Sequence, residues 1–251
     1  MLDEMVARFL YYPDRIPPEM PPPQWAGPCQ EVWMDADDGI RIHGLWWDQP
    51  NDAPVVLFLH GNAQEVYSWS LVREDLQVLE CRMLLIDYHG YGKSGGKPSE
   101  GALYSDGRAA MKWLRTAGVE PENTVVFGKS LGGAVACEIA RGTSLKGLVL
   151  ESTFTSLRSV ARRLFPFADR FVPDPDVFNS LGKIPDIHCP VMVIHGDADA
   201  LIPLEEGLRL FEAAGRPKDL YVVRGAGHND VSMVAGREYG NRLRRWVRGA
   251  G

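Results

Sequence analysis

Residues 125–134 read VVFGKSLGGA: an apolar run that stops at Gly128, turns through Lys129 and Ser130, and resumes past a glycine pair as an apolar helical pattern. A short, continuously apolar run is expected to be a strand covered on both faces. Leu131, Ala134, Val135 and Ile139 then fall on or near one helical face. A strand that becomes a helix through a single residue brings two backbones close together, and only small neighbours permit that. Such a strained turn lifts the hydroxyl at its apex, here Ser130, above the sheet.

The triplet Gly128, Ser130, Gly132 has a second copy in Gly92, Ser94, Gly96. Two hits in one chain show how little the spacing means alone, and context separates them. Ser94 is followed by Gly-Gly-Lys-Pro and opens no helix, so it reads as loop. Both copies contain Gly-Lys-Ser, which invites a phosphate-binding reading. That motif needs a glycine five residues before the lysine-side glycine. Those positions hold Asn123 and Asp87, and both candidates fail.

Working outward, short apolar runs recur at 54–60, 82–88, 124–128, 145–152, 190–196 and 219–225. Helical patterns lie between them. Leu103, Gly107, Ala110, Met111 and Leu114 share one face, as do Tyr239, Leu243, Trp246 and Val247. Strand and helix in alternation give a mostly parallel sheet with helices on both faces. Before it, two β-rich runs flank Asp38-Gly39, a hairpin signal that would add an antiparallel edge. Seven prolines in residues 13–28 exclude a helix and predict an extended path over the surface. Residues 153–189 are too long for an ordinary connection, and their aromatic content argues for an ordered insert.

The chain has 251 residues, 45% of them apolar, and a net charge of −6. This is enough chain for a sizeable core. The acidic balance argues against nucleic-acid binding. Cys29, Cys81, Cys137 and Cys189 form no C-x-x-C pair, so neither a zinc site nor a redox motif is indicated. Cys81 and Cys137 read as packing residues. The N-terminus is acidic where a signal peptide is basic, and its apolar stretch is too short to span a bilayer. A cytoplasmic protein with no stable membrane insertion is expected.

A serine hydroxyl needs a base. Of six histidines, His43 lies in the hairpin, His89 in a Tyr-His-Gly turn and His188 just before a strand. His60 and His195 end strands in His-Gly pairs, where the ring is more often structural. His228, in RGAGHND, follows the last strand at the sheet end where parallel folds place their chemistry. A carboxylate must hold the base's tautomer, and HGDADALIP offers Asp197 and Asp199. The order Ser, Asp, His is that of the α/β-hydrolases.

The segments RFLYYP, LFLHGNA, DYHGYGKSGGKPSEGALYSD, GKSLGG, FTSL, CPVMVIHGDAD and GAGHND together resemble the α/β-hydrolases, in particular their Bem46-like and depalmitoylase-like serine hydrolases. The resemblance covers about residues 9–248. It departs at His89, where relatives often carry Arg, and Lys129 fills the variable elbow position. It implies one α/β-hydrolase domain over 1–251, with the insert at about 153–189 as a small cap. It assigns the acid to Asp199, leaving Asp197 as a loop-capping residue. It implies an oxyanion hole made by the Leu131 N–H and, from the turn after the first parallel strand, the Asn62 N–H, with Ala63 as the neighbouring alternative. Gly61, Ala63, Phe154 and Ile202 are the expected substrate-contacting residues. Phe165, Phe167 and Phe171 are further candidates for an acyl site or for packing of the cap. Arg158, Arg162, Arg163 and Arg170 read as a solvated helix face, with binding of an anionic leaving group as the alternative. The implied reaction is hydrolysis of a small-molecule ester or thioester through an acyl-enzyme, with neither metal nor organic cofactor. Other reactions on the same fold, such as aminopeptidase or acyl transfer, and a non-catalytic binder remain the alternatives.

Overall fold

The apolar runs form six adjacent strands of one eight-stranded sheet, the last of them a half-buried edge: β1 (Gln30–Asp35), β2 (Arg41–Trp47), β3 (Val55–Leu59), β4 (Arg82–Ile86), β5 (Thr124–Lys129), β6 (Gly147–Glu151), β7 (Val191–Gly196) and β8 (Lys218–Val223). The computed structural model describes residues 11–49, 53–164 and 177–249. Strand order is β1-β2-β4-β3-β5-β6-β7-β8. β1 and β2 are antiparallel, β2 joins β4 antiparallel, and every later pair is parallel. The Asp38-Gly39 signal is thus a hairpin. Its connection spans residues 36–40, with Gly39 at φ 79° and the Ala36 N–H donating to the Ile40 carbonyl.

Nine helices accompany the strands among the described residues. They are α1 (Val66–Trp69), α2 (Val72–Leu76), α3 (Glu100–Thr116), α4 (Leu131–Ala140), α5 (Leu157–Leu164), α6 (Ser180–Lys183), α7 (Leu204–Ala213), α8 (Val231–Ala235) and α9 (Arg237–Val247). The period-2 geometry of a strand sends alternate side chains to opposite faces, and each face has its own core. Leu57, Leu84, Val126 and Leu148 meet Leu103, Ala110 and Leu114 of α3 and Ala134 and Val135 of α4. Val56, Phe58, Leu85 and Phe127 meet Tyr67, Leu76 and, from α9, Tyr239, Leu243 and Trp246. Continuous apolarity in these strands therefore has its expected cause: both faces are covered.

The proline-rich segment is extended but not merely superficial. Tyr11, Ile16 and Ala26 are buried. Pro13 bridges Gln64, Arg15 bridges Gly92, and the Arg15 guanidinium donates to the Ser94 carbonyl at 2.7 Å. Ser94 is a structural loop residue, its buried hydroxyl linking the His43 N–H to the Asp87 carbonyl. Of the long insert, α5 and residues 177–189 are described. Phe165, Phe167, Phe171 and Arg170 lie outside the described residues.

The parallel register pairs Leu59 with Gly128 and Lys129 with Glu151. The ends of β3, β5 and β6 therefore emerge side by side. A Cβ at Gly128 would lie 2.5 Å from the Gly132 carbonyl oxygen, and one at Gly132 would lie 2.0 Å from the Leu59 carbonyl oxygen. α4 is thus held against β5 on one side and β3 on the other, and backbone atoms so placed have no room to retreat. Gly132→Ala is expected to lower unfolding free energy by about 3 kcal/mol, the upper range for overpacking a tight interior, measured by urea denaturation. A stability within experimental error of the parent would show that the elbow has slack.

Candidate active site

Ser130 joins β5 to α4 with φ 53° and ψ −117°. This backbone geometry costs a non-glycine residue about 1–3 kcal/mol and persists only where neighbours enforce it. Here they do so at both ends of the residue. The Ser130 N–H donates to the Glu151 carbonyl at 2.9 Å, and the Ser130 carbonyl accepts from the Gly133 N–H at 3.0 Å and the Thr153 hydroxyl at 2.6 Å. Lys129, nearly buried, forms an ion pair at 2.7 Å with Glu151, whose other carboxylate oxygen accepts from the Tyr239 hydroxyl. A lysine closing the strand run VVFGK, and a glutamate closing the apolar run LVLE on another, were the available signals for this pair.

The Asp199 and His228 loops follow β7 and β8, and the backbone stitches them together. The Ala198 N–H donates to the Ala226 carbonyl at 2.9 Å and the Gly225 N–H to an Asp197 carboxylate oxygen at 2.6 Å. Asp197 thus caps a loop, but the His228 loop rather than its own. Asp199 is buried; its Oδ1 accepts the N–H groups of Leu201 and Ile202 at 2.9 and 2.8 Å. Its Oδ2 lies 2.8 Å from His228 Nδ1, and His228 Nε2 lies 3.1 Å from Ser130 Oγ. A carboxylate at Nδ1 fixes the proton there and leaves the Nε2 lone pair facing the hydroxyl.

Burial alone would raise the Asp199 carboxyl, but the nearby His195 ring, the His228 ring and the Ile202 N–H together hold it well below the usual carboxylate range. His195 Nε2 is 3.6 Å from Asp199 Oδ2, and donates instead to the Ile202 carbonyl at 2.8 Å. His195 is therefore structural at this site. Two further histidines are equally committed: His43 lies between Asp87 and Glu31, and His89 between Asp106 and Asp38.

Leu131 opens α4, where backbone N–H groups lack intrahelical acceptors. The turn after β3 runs against the serine: a Cβ at Gly61 would lie 3.5 Å from Ser130 Cβ and 3.4 Å from the Trp69 ring. Ala63 and Gln64 follow with φ 152° and 65°. Phe154 and Ile202 are both buried members of the core under the insert. Arg162 and Arg163 are exposed on α5, while Arg158 is half-buried. Among the described residues, no group of three or more His, Cys, Asp or Glu side chains is arranged to hold a metal ion. None of their helices is long and apolar enough to cross a membrane.

The chain and its fold have known counterparts. Residues 54–174 match the α/β hydrolase fold family. The chain is 36% identical over 244 residues to an uncharacterised protein of Mycobacterium tuberculosis, covering 96% of this chain and 86% of that one. It is 38% identical over 200 residues to the human alpha/beta hydrolase domain-containing protein 17B, covering 79% of this chain and 67% of that one. The chain belongs to the α/β-hydrolase family. Among solved structures, an esterase of Pyrococcus furiosus superposes on this hydrolase fold with a TM-score of 0.75 at 24% identity, covering 94% of this chain and 98% of that one. An alpha-beta hydrolase of Vibrio vulnificus does so with a TM-score of 0.71 at 25% identity, covering 88% and 82%.

The depressed Asp199 carboxyl makes a signed prediction. A carboxyl whose folded pKa lies below its unfolded value contributes stability that is present above the unfolded value, about 3.9, and is lost as pH falls toward the folded one. The stability gap between the parent and Asp199→Asn is therefore expected to be widest at neutral pH and to narrow below about pH 4. Urea unfolding across that range measures it, and a gap that widens with acid contradicts the assignment.

Proposed function

We propose that this hydrolase is a serine esterase or thioesterase whose nucleophile is Ser130, with His228 as general base and Asp199 as its orienting carboxylate. The observation that carries the reading is the unbroken chain of two contacts, Ser130 Oγ to His228 Nε2 at 3.1 Å and His228 Nδ1 to Asp199 Oδ2 at 2.8 Å. His228 Nε2 takes the Ser130 proton as Oγ bonds to the substrate carbonyl carbon. The Leu131 and Asn62 N–H groups hold the resulting oxyanion, each worth about 2.7–4 kcal/mol in the transition state. His228 then gives that proton to the departing alkoxide or thiolate, and the tetrahedral species collapses to an acyl-Ser130. Water, deprotonated by His228, attacks the acyl carbon; collapse returns the proton to Ser130 and releases the acid.

The substrate we assign is a small-molecule carboxylic ester or thioester with a short to medium acyl chain. Gly61, Ala63, Phe154 and Ile202 are its proposed contacts, the whole chain acting as one domain whose insert at 153–189 forms the cap. The acidic surface and four free cysteines support a cytoplasmic setting without nucleic-acid partners.

Two measurements test the reading. Ser130→Ala is expected to abolish labelling by a fluorophosphonate and to reduce kcat by about 10⁴-fold or more on p-nitrophenyl esters. Acyl thioesters and amino-acid anilides, assayed beside those esters, separate hydrolase from peptidase chemistry. The pH profile of kcat/KM should fall on the acid side as His228 takes up a proton and loses its acceptor pair. A profile flat down to about pH 4 would remove His228 from the base's role.

A further inference from the structure

The turn at residues 60–63 is pinned at every residue by a ring or hydroxyl. The Tyr88 hydroxyl donates to the His60 carbonyl at 3.0 Å, and His60 Nδ1 donates to the Gly61 carbonyl at 2.7 Å. Trp69 Nε1 donates to the Ala63 carbonyl at 2.9 Å. The Asn62 side-chain oxygen accepts two donors, the Tyr91 hydroxyl at 2.8 Å and the Tyr12 N–H at 3.2 Å. The rings form one cluster. His60 lies 4.4 Å from Tyr88, 5.4 Å from Tyr91 and 5.9 Å from Trp69 between centroids. Burial keeps the His60 ring neutral and pushes the Tyr91 hydroxyl up, so both remain hydrogen-bond donors at working pH.

One of these bonds, from His60 to the Gly61 carbonyl, acts on the peptide plane that carries the Asn62 N–H. The Gly61 carbonyl and the Asn62 N–H belong to the same trans peptide and point in opposite directions. Fixing the carbonyl through His60 therefore aims the N–H. That restraint leaves the Cα of Asn62 free to rock about φ and ψ, and the strained residues Ala63 and Gln64 follow directly. Both acceptor positions of the Asn62 side-chain oxygen are filled, one from the core and one from the N-terminal strap. The side chain is thereby tied on both sides, and the Cα moves only if one of those bonds breaks.

Resting on the hydrolytic reading above, we propose that Tyr91 is a positioning residue for the oxyanion hole: with the Tyr12 N–H of the N-terminal strap it locks the Asn62 carboxamide and so holds the Asn62 N–H on the developing oxyanion. Tyr91 touches neither the nucleophile nor the base. It acts through Asn62. The strap is by the same token part of the working site, since Pro13 bridges Gln64 on the far side of the turn and the Tyr11 ring meets Phe178 of the insert edge-on at 6.5 Å.

The experiment compares Tyr91→Phe, Asn62→Ala and the double variant, with Tyr104→Phe as a control. Tyr104 is another buried tyrosine whose hydroxyl is bonded to a side chain, Glu100, away from the turn. Asn62→Ala keeps the backbone donor and deletes only its anchor. Tyr91→Phe is expected to slow fluorophosphonate labelling and kcat about ten- to a hundredfold, in the range a small misplacement costs, with KM within about twofold. The double variant should be no slower than Asn62→Ala alone, because both delete the same bond. Tyr104→Phe should lower Tm without slowing labelling. Labelling at the parent rate in Tyr91→Phe, losses equal to those of Tyr104→Phe, or multiplying losses in the double variant would each overturn the proposal. If Asn62→Ala does not fold, Tyr91→Phe against Tyr104→Phe decides alone. Ser130→Ala is labelled in parallel. Persistent labelling there overturns the hydrolytic reading itself, whereas its loss there beside parent-like Tyr91→Phe overturns only the role of Tyr91.

Discussion

One backbone conformation organises the upper end of this sheet: Ser130 at positive φ, held between two hydrogen-bonded strands. A residue left to itself would relax out of that region. It stays because its N–H and carbonyl are both engaged by β6 and the segment after it, and because side-chain-free residues let α4 start against the Leu59 carbonyl. The glycines at 128 and 132 are thus the steric condition for the strained serine. The Lys129–Glu151 pair, nearly sealed from water, adds a second tie across the same two strands. Its removal from one side only would leave an uncompensated charge, which is why such pairs resist piecemeal change.

The carboxylate, imidazole and hydroxyl come from β7, β8 and β5, and no two lie within 28 residues of each other in sequence. Their alignment is paid for locally. Asp199 spends one oxygen on the N–H groups of its own turn and keeps the other for His228. The two loops then share a backbone bond and a bond to the Asp197 carboxylate, which hold Asp199 and His228 in fixed relation. A depressed carboxyl follows from that arrangement together with the nearby His195 ring, and the carboxylate at Nδ1 fixes the imidazole tautomer.

Much of this was legible in the residues. Strand runs at 54–60, 124–128 and 190–196 were readable because burial on both faces removes the polar alternation that would blur them. Ser130 and His228 stood out because a strand-to-helix turn and a strand-end loop leave strong local marks, whereas the choice of Asp199 over Asp197 rested on family resemblance. What stayed hidden was pairing at long range. Nothing in the local pattern says that Lys129 meets Glu151, that Asp197 caps a loop 28 residues on, or that Tyr91 reaches Asn62. The proline-rich start was read as an extended surface segment, and its composition does mark extension. Its buried anchors, Tyr11 and Ile16, are single residues without periodicity, and only the folded chain shows what they touch.

The sheet order has a consequence for how such a protein diversifies. β3 and β5 are neighbours in register, so Ser130 and the turn that faces it are fixed by the rigid middle of the sheet. The long excursion leaves from β6 and returns to β7, on the opposite flank of the serine. Lengthening, shortening or replacing that excursion leaves the central register untouched. That flank of the sheet can therefore vary while the serine elbow and the turn that faces it stay where they are.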